Sequence, residues 1–355
     1  MRRLTVGHAR LGRALVGLVT ATLTGRLPPQ ALKDLRAAAP VSLSLSAQFN
    51  QVQTAIAPGL SSQSDLAKVL PDDLRLFFDA MYEANADRLS LGMGQLKELN
   101  RTLAAEGIDV VMLKGAADML DPLHARPSIR FIADLDILVP EDAVQRAVEA
   151  LASIGAHMPT PAIGRTSSRD LDGRPVSRHH IPAIVRTDWG FPVELHFRMG
   201  GIETERVLPS QRVRSGARRL HDIRLFIPND LDRSLHLILH ASYHRGEPLL
   251  LRAAMDWTAL RRRVAREEIA EEMARHGAAA AYRGLDRLSD LLDGDEAAWD
   301  ECNVFGPLFR QLAIIGSSRP RRLTYPGLRN ALKKARAYLF SPEFRRRNWS
   351  KRSGG

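Results

Sequence analysis

Two aspartates one residue apart, in the segment RFIADLDILVP (130–140), are the side chains best placed to do chemistry together. Side chains at positions i and i+2 of a β-strand share a face, so Asp134 and Asp136 are expected side by side, with Cα atoms roughly 7 Å apart. The apolar residues that alternate with them supply the buried face. Two unpaired buried carboxylates would repel each other. A divalent cation resolves the conflict, and hard carboxylate oxygens predict Mg²⁺, or Mn²⁺ in its place.

A second alternating segment, FPVELHFRM (191–199), supplies a candidate third carboxylate. Glu194 and His196 fall on one face of this predicted strand, and Val193 and Leu195 fall on the other. We therefore expect Glu194 to join the two aspartates and His196 to share the site.

A candidate phosphate site precedes these carboxylates in the segment IDVVMLKGAADML (108–120). Its apolar start predicts a buried strand, and the rest predicts a tight turn that opens a short helix. Gly115 would let backbone amides approach an anion, a helix N-terminus favours phosphate, and Lys114 adds a positive charge. A phosphate site placed before paired metal-binding carboxylates is the arrangement of a nucleotidyltransferase.

Taken together, these motifs resemble the bacterial uncharacterised nucleotidyltransferase family of the DNA polymerase β-like superfamily, over roughly residues 75–262. The resemblance rests on four short motifs, which are the L-K-G turn at 113–115, the R-x₃-D-x-D-x-L-V strand that begins at Arg130, V-E-L-H at 193–196, and a helical stretch with His240, His244, Arg252 and Asp256. At the first turn, better-studied relatives have Gly-Ser where this sequence has Lys114-Gly115.

The resemblance implies a mixed sheet and transfer of an NMP from an NTP to an unidentified acceptor hydroxyl. Asp134 and Asp136 would hold two Mg²⁺ ions for in-line displacement at the α-phosphate, and Glu194 would bind the ion nearer the nucleophile. Phosphate binding is expected from Lys114, Gly115 and Arg130. Possible acceptor-side residues are His180, His196, His240, His244 and Asp256. Helical spacing also relates His236 to His240 and His244. This spacing favours a polar helix face lining a cleft over a metal site.

Two other functions stay open. The missing Gly-Ser favours a degenerate protein that binds nucleotides without transfer. The formal charge of +11 raises the possibility of nucleic-acid binding, because residues 303–355 hold thirteen Lys and Arg against one acid, Glu343. This segment carries +12, which leaves −1 for residues 1–302. A solvated basic tail is the simpler interpretation, and the chain as a whole is only 6% aromatic, which disfavours stacking on bases.

The periodicity predicts an α+β fold with a small mixed sheet between helical regions. We expect four parts, which are a helical N-terminal region (1–104), an α/β nucleotidyltransferase core (105–229), a helical C-terminal region (230–302) and a basic tail, helical or partly disordered (303–355). Within the core, further strands are predicted at 180–186 and 223–228.

Several classes of protein are excluded or disfavoured. A single cysteine, Cys302, excludes an intramolecular disulfide and a cysteine-based zinc site, and fits the reducing cytoplasm. No apolar stretch reaches the roughly 18 residues of a membrane span. The N-terminal residues faintly resemble a signal peptide, but Arg10 and Arg13 interrupt them, so an amphipathic first helix is expected. The sequence leaves the oligomeric state open.

Overall fold

A computed structural model describes residues 2–62, 64–159, 179–220, 225–243 and 251–300. The basic tail at 303–355 and His244 lie outside the described residues. Helices and a five-stranded mixed sheet make up the described part of the chain, which confirms the predicted α+β class.

Six helices precede the sheet: α1 (Arg2–Thr24), α2 (Pro29–Arg36), α3 (Pro40–Phe49), α4 (Ala57–Ser62), α5 (Ser64–Val69) and α6 (Asp72–Ala105). The sheet region contains β1 (Val111–Met112), α7 (Lys114–Leu120), β2 (Leu135–Leu138), α8 (Val144–Ser153), β3 (Val193–His196), α9 (Ile202–Val207), α10 (Ser210–Ser215), β4 (Arg218–Leu220) and β5 (Leu225–Ile227). The helices that follow it are α11 (Asp230–Tyr243), α12 (Leu251–Leu260), α13 (Arg266–Arg275), α14 (Ala279–Leu292) and α15 (Glu296–Asp300).

The sheet has the strand order β3-β2-β1-β5-β4. Strands β2 and β3 pair in parallel, as do β1 and β5, whereas β1 with β2 and β4 with β5 are antiparallel. The parallel register sets Asp136 opposite Glu194 and Leu138 opposite His196. The two segments with predicted site carboxylates are therefore direct neighbours.

The predicted strand at 180–186 is wrong as a continuous strand. This segment makes isolated antiparallel bridges, with His180 opposite His196 and Ile184 opposite Val193. Pro182 lies between these bridges and has no N–H to donate to a ladder. The short strand β4 was not expected from the sequence, because its Arg-Arg-Leu residues are exposed or half-buried and show no apolar alternation.

The predicted first helix is present as α1, but its later turns are enclosed and are not amphipathic as expected. Residues 14–21 are all buried, because α1 packs against α2, α4 and also α14 near the other end of the chain. A helix that is apolar on nearly every side needs this enclosure. Helices from both predicted helical regions thus share one hydrophobic core. Within the described residues, no helix is long and apolar enough to cross a membrane.

The long helix α6 passes close to the sheet at Gly92. It begins after Pro71 with two acidic residues in its first turn, where the helix dipole favours negative charge. A Cβ atom on Gly92 would lie 2.5 Å from Cε2 of Phe191 and 2.7 Å from Cε of Met119. Gly94, two residues on, is exposed, with no atom within 4 Å of its would-be Cβ. Helix α6 therefore needs a glycine at 92 and not at 94.

We predict opposite effects for alanine at these two positions. Gly92→Ala should lower the free energy of unfolding by about 1–3 kcal/mol, because the buried Phe191 ring has to move. Gly94→Ala should raise it by up to about 1 kcal/mol, because alanine favours helix over glycine. Urea unfolding followed by circular dichroism measures both values. Equal effects of the two substitutions would contradict the close approach at Gly92.

Candidate functional site

Three side chains that can bind a metal ion meet on neighbouring parallel strands. Asp136 of β2 faces Glu194 of β3, and His196 lies two residues beyond Glu194 on the same strand. One donor atom from each of the three lies within 4.8 Å of the others. The i, i+2 rule therefore holds on β3, and the strand register brings both carboxylates together across the sheet.

Asp136 is buried, and its charge is matched by two donors on one oxygen. Its Oδ1 atom lies 2.7 Å from the Lys114 Nζ atom and 2.7 Å from the His196 Nε2 atom. Because an ionised carboxylate only accepts hydrogen bonds, His196 Nε2 must carry the hydrogen of this bond. Burial alone would raise the pKa of Asp136, but the Lys114 charge and the His196 hydrogen bond hold it well below its usual range. Asp136 is therefore ionised at neutral pH.

Lys114 reaches Asp136 because their backbones are tied together. The N–H of Leu113 donates to the backbone oxygen of Asp136 at 2.9 Å, and α7 begins at the next residue. Lys114 has a φ of +44°, in the left-handed region that favours glycine and costs other residues about 1–2 kcal/mol. The lysine thus holds an unfavourable backbone conformation at the point where its ammonium meets Asp136.

Gly115 has a packing role in the structure. A Cβ atom there would lie 2.7 Å from Cγ2 of Ile132 and 2.9 Å from Nη1 of Arg130. The absence of a side chain lets α7 lie directly against the residues that lead into β2. Gly115 was expected to let an anion approach the backbone. In the structure it lets the side chains of Ile132 and Arg130 approach.

Asp134 lies just before β2 and is half-buried. Burial raises the pKa of its carboxyl to about 6, and the negative charges of Asp136 and Glu194 add to the rise, whereas Lys114 and Arg252 oppose it. The charges of the cluster therefore affect the pKa of Asp134, although Asp134 lies outside the compact group of Asp136, Glu194 and His196. Its protonation state changes close to neutral pH.

Glu194 and the histidines form the more open side of the cluster. The Glu194 Oε2 atom lies 3.7 Å from His196 Nε2 and 3.7 Å from His180 Nδ1. Burial would raise the pKa of Glu194, but these two histidines outweigh it and leave the pKa lowered. The ring of His179 packs 4.5 Å from that of His180. About a third of the His180 side chain is exposed, which places it at the edge of the cluster.

Helix α11 closes another side of the cluster with His236. Its burial lowers its pKa to about 3, and the positive charges of Lys114 and His196 add to this effect. His236 is therefore a neutral imidazole beside the site. The half-buried His240 follows one turn later, with ring centroids 6.2 Å apart. The helical spacing of histidines was the sequence signal for this face.

Arg130 and Asp256 lie in a buried ion-pair network. The Arg130 Nε atom is 2.6 Å from Asp118 Oδ2, and its Nη2 atom is 3.0 Å from Asp256 Oδ2. Asp118 also binds the Arg233 guanidinium of α11 at 2.7 Å. Two carboxylates thus flank the arginine expected to bind phosphate, and Asp256 is only 1% exposed. No sequence pattern pointed to Asp118 or Arg233, because their ion-pair partners lie outside their own sequence neighbourhood.

The side chains present fit a divalent cation. Asp136 and Glu194 supply hard oxygen donors a few ångströms apart, which suits Mg²⁺ or Mn²⁺. His196 donates to Asp136 and orients it, as residues behind a metal ligand commonly do. Asp134 lies outside this group of donor atoms, and its charge interacts with those of both carboxylates.

We predict that Asp256→Ala lowers the free energy of unfolding by roughly 3–5 kcal/mol, because it leaves the buried Arg130 with one carboxylate fewer. The matched control is Glu141→Ala, which removes the exposed pair between Glu141 and Arg198 and should cost less than about 1 kcal/mol. Chemical denaturation of both variants tests this. A cost for Asp256→Ala as small as that of the control would mean that the network does not stabilise the fold.

We predict a pH dependence that belongs to Asp134. The unfolded carboxyl ionises near pH 4 and the folded one near pH 6. Between these values the unfolded chain releases the proton that the folded chain keeps, so stability falls as pH rises. Relative to Asp134→Asn, the wild type should lose roughly 2 kcal/mol of unfolding free energy from pH 4 to pH 7. Urea unfolding across this range measures the difference, and a constant difference would refute the assignment.

Comparison with known proteins adds one finding. A family model described as "uncharacterised nucleotidyltransferase" matches residues 44–292, which is more than half of the chain. The matched range contains β1, α7, β2 and β3 with all the side chains of the cluster. Neither the curated proteins nor the solved structures that were compared contain a match.

Proposed function

The chain belongs to the family of uncharacterised nucleotidyltransferases, and we propose that it transfers an NMP from an NTP, such as ATP, to the hydroxyl group of an acceptor. One observation carries this proposal. Two carboxylates and a histidine, Asp136, Glu194 and His196, meet on neighbouring strands directly beside the lysine that opens α7. Metal-binding carboxylates next to a positive charge suit the binding of a nucleoside triphosphate.

The proposed ligands of a divalent cation, Mg²⁺ or Mn²⁺, are Asp136, Glu194 and Asp134. When bound, such a cation neutralises phosphate charge and favours ionisation of an attacking hydroxyl. Asp136 and Glu194 suit this role because both have lowered pKa values and stay ionised at neutral pH. Asp134, whose pKa is about 6 before a cation binds, would release its proton on joining the ligands of the cation.

The positive side chains have different proposed roles. Lys114 is partly exposed beside Asp136 and would neutralise phosphate charge. Arg130 would act through other residues, because Asp118 and Asp256 hold it and Gly115 packs on it. We therefore propose Arg130 as a positioning residue that fixes α7 against the strand with the aspartates.

On the acceptor side, His180 is the best-placed candidate, since it lies beside Glu194 and is partly exposed. His240 is a weaker candidate behind His236. Asp256 is enclosed and paired, so its contribution to an acceptor would be indirect. The roles of His244 and of nucleic-acid binding by the tail at 303–355 stay predictions from the sequence.

We predict that Glu194→Gln and Asp136→Asn each reduce NMP transfer about 100-fold or more, because each removes a charged ligand of the cation. Asp134→Asn should also reduce it. The assay incubates purified protein with labelled NTPs, Mg²⁺ or Mn²⁺ and a cell extract, and detects the transferred NMP by mass spectrometry. Circular dichroism checks folding, which matters most for the buried Asp136.

The matched control is Asp142→Asn, which neutralises an exposed aspartate after β2 and should leave transfer unchanged. Equal transfer by the wild type and the three site variants would refute the assignment of these carboxylates. NTP binding by the wild type without any transfer would instead identify a nucleotide-binding protein. That second candidate is favoured by the contact of Lys114 with Asp136, since the ammonium competes with a metal ion for this carboxylate.

A further inference from the structure

We propose that the Lys114 ammonium serves as a fixed cation on Asp136, so that the site binds one divalent ion in place of the two expected from the sequence. This inference rests on the proposed function, because it concerns the ions that accompany the nucleotide. It makes Lys114 part of the metal chemistry as well as a contact for phosphate.

The first step concerns the lone pairs of Asp136. A carboxylate oxygen has two lone pairs, and Oδ1 already accepts from Lys114 Nζ and His196 Nε2, each at 2.7 Å. A carboxylate that bridges two metal ions gives one oxygen to each. With Oδ1 taken by two donors, only Oδ2 is left for a metal ion. Asp136 can therefore bind an ion through Oδ2 and cannot give one oxygen to each of two ions while Lys114 stays in place.

The second step concerns how firmly Lys114 is placed. The residue before it, Leu113, hydrogen-bonds to the backbone oxygen of Asp136 itself, so the two residues keep their relative position. Three-quarters of the Lys114 side chain is shielded from solvent. His236, neutral and buried, closes the neighbouring side. The ammonium thus has Asp136 as a close, charged partner whose position is set by the sheet.

The third step concerns the φ of +44° at Lys114. A glycine would adopt this conformation without strain, so the backbone alone gives no reason for a lysine. What the lysine adds is its charge at Asp136. The same charge also acts on Asp134, which lies next along the face. An ammonium in this position does part of what a second metal ion would do, because it compensates the carboxylates before the nucleotide arrives.

The fourth step concerns the ligands that are left for a metal ion. Asp136 Oδ2, Glu194 and Asp134 remain after Lys114 and His196 have taken Oδ1. A Mg²⁺ ion in proteins uses one or two carboxylates together with substrate phosphates and water. These three carboxylates therefore supply enough ligands for one ion. A second ion that shares Asp136 would need its Oδ1 atom and so would have to displace the lysine.

The test counts bound Mn²⁺ ions on the full chain by electron paramagnetic resonance and equilibrium dialysis, in the presence of a non-hydrolysable NTP analogue. The wild type should bind one Mn²⁺ per chain. Lys114→Met, which keeps the side-chain length and removes the charge, should bind two. Lys114→Gly, which also removes the backbone strain, should bind two as well. Lys114→Arg keeps a positive charge and should bind one, and thermal unfolding confirms that each variant is folded.

Two ions on the wild type would overturn the inference, since the lysine would then leave Asp136 when metal binds. One ion on both uncharged variants would overturn it too, because Lys114 would not decide the count. No ion on any variant would overturn this inference and the proposed cation site together. If the wild type binds one ion and the uncharged variants bind two, but the wild type transfers no NMP, this inference is supported and the proposed activity is refuted. The two failures are therefore distinguishable.

Discussion

The site depends on keeping one buried carboxylate charged. Asp136 lies inside the sheet, where an isolated negative charge would be very costly. Lys114 after β1 and His196 on β3 both donate to its Oδ1 atom, so three strands have to be in register for the charge to be tolerated. The same contacts place Glu194 and Asp134 around Asp136 and limit which of its oxygens can bind an ion. Structure and chemistry are thus fixed by one set of bonds.

A second set of buried charges connects this site to the C-terminal helices. Arg130 lies between Asp118 of α7 and Asp256 of α12, and Arg233 of α11 binds the same Asp118. A buried ion pair adds little net stability, but breaking one leaves an uncompensated charge. The main effect of the network is therefore to fix the positions of the elements that it joins. It fixes α7, and with it Lys114, relative to the strand that carries the aspartates.

Local rules predicted much of the fold. Alternation correctly predicted that Leu135 and Ile137 of β2, and Val139 after it, are enclosed, but Asp136 and Leu138 on the opposite face are buried as well. Helical periodicity correctly gave α6, α11 and α12. Strand prediction failed at 180–186, where Pro182 interrupts the ladder, and at β4, an edge strand without an apolar face. These failures occur where pairing depends on neighbours in space, which the local pattern does not contain.

The sequence by itself determined that Glu194 and His196 share a face of one strand and that a lysine opens the helix after β1, because backbone geometry sets these relations between nearby residues. Asp134 was expected on the same strand face as Asp136, but β2 begins at Leu135 and Asp134 lies before it. Only the tertiary structure decided which groups meet. Parallel pairing of β2 with β3 joined Asp136 to Glu194 and His196. Lys114 and His196 hold the pKa of Asp136 low, whereas burial and the neighbouring carboxylates raise that of Asp134. Arg130 is enclosed between two carboxylates. Which charges meet, which residues are buried and which strands pair all depend on distances between residues far apart in the chain. Local sequence patterns do not contain those distances.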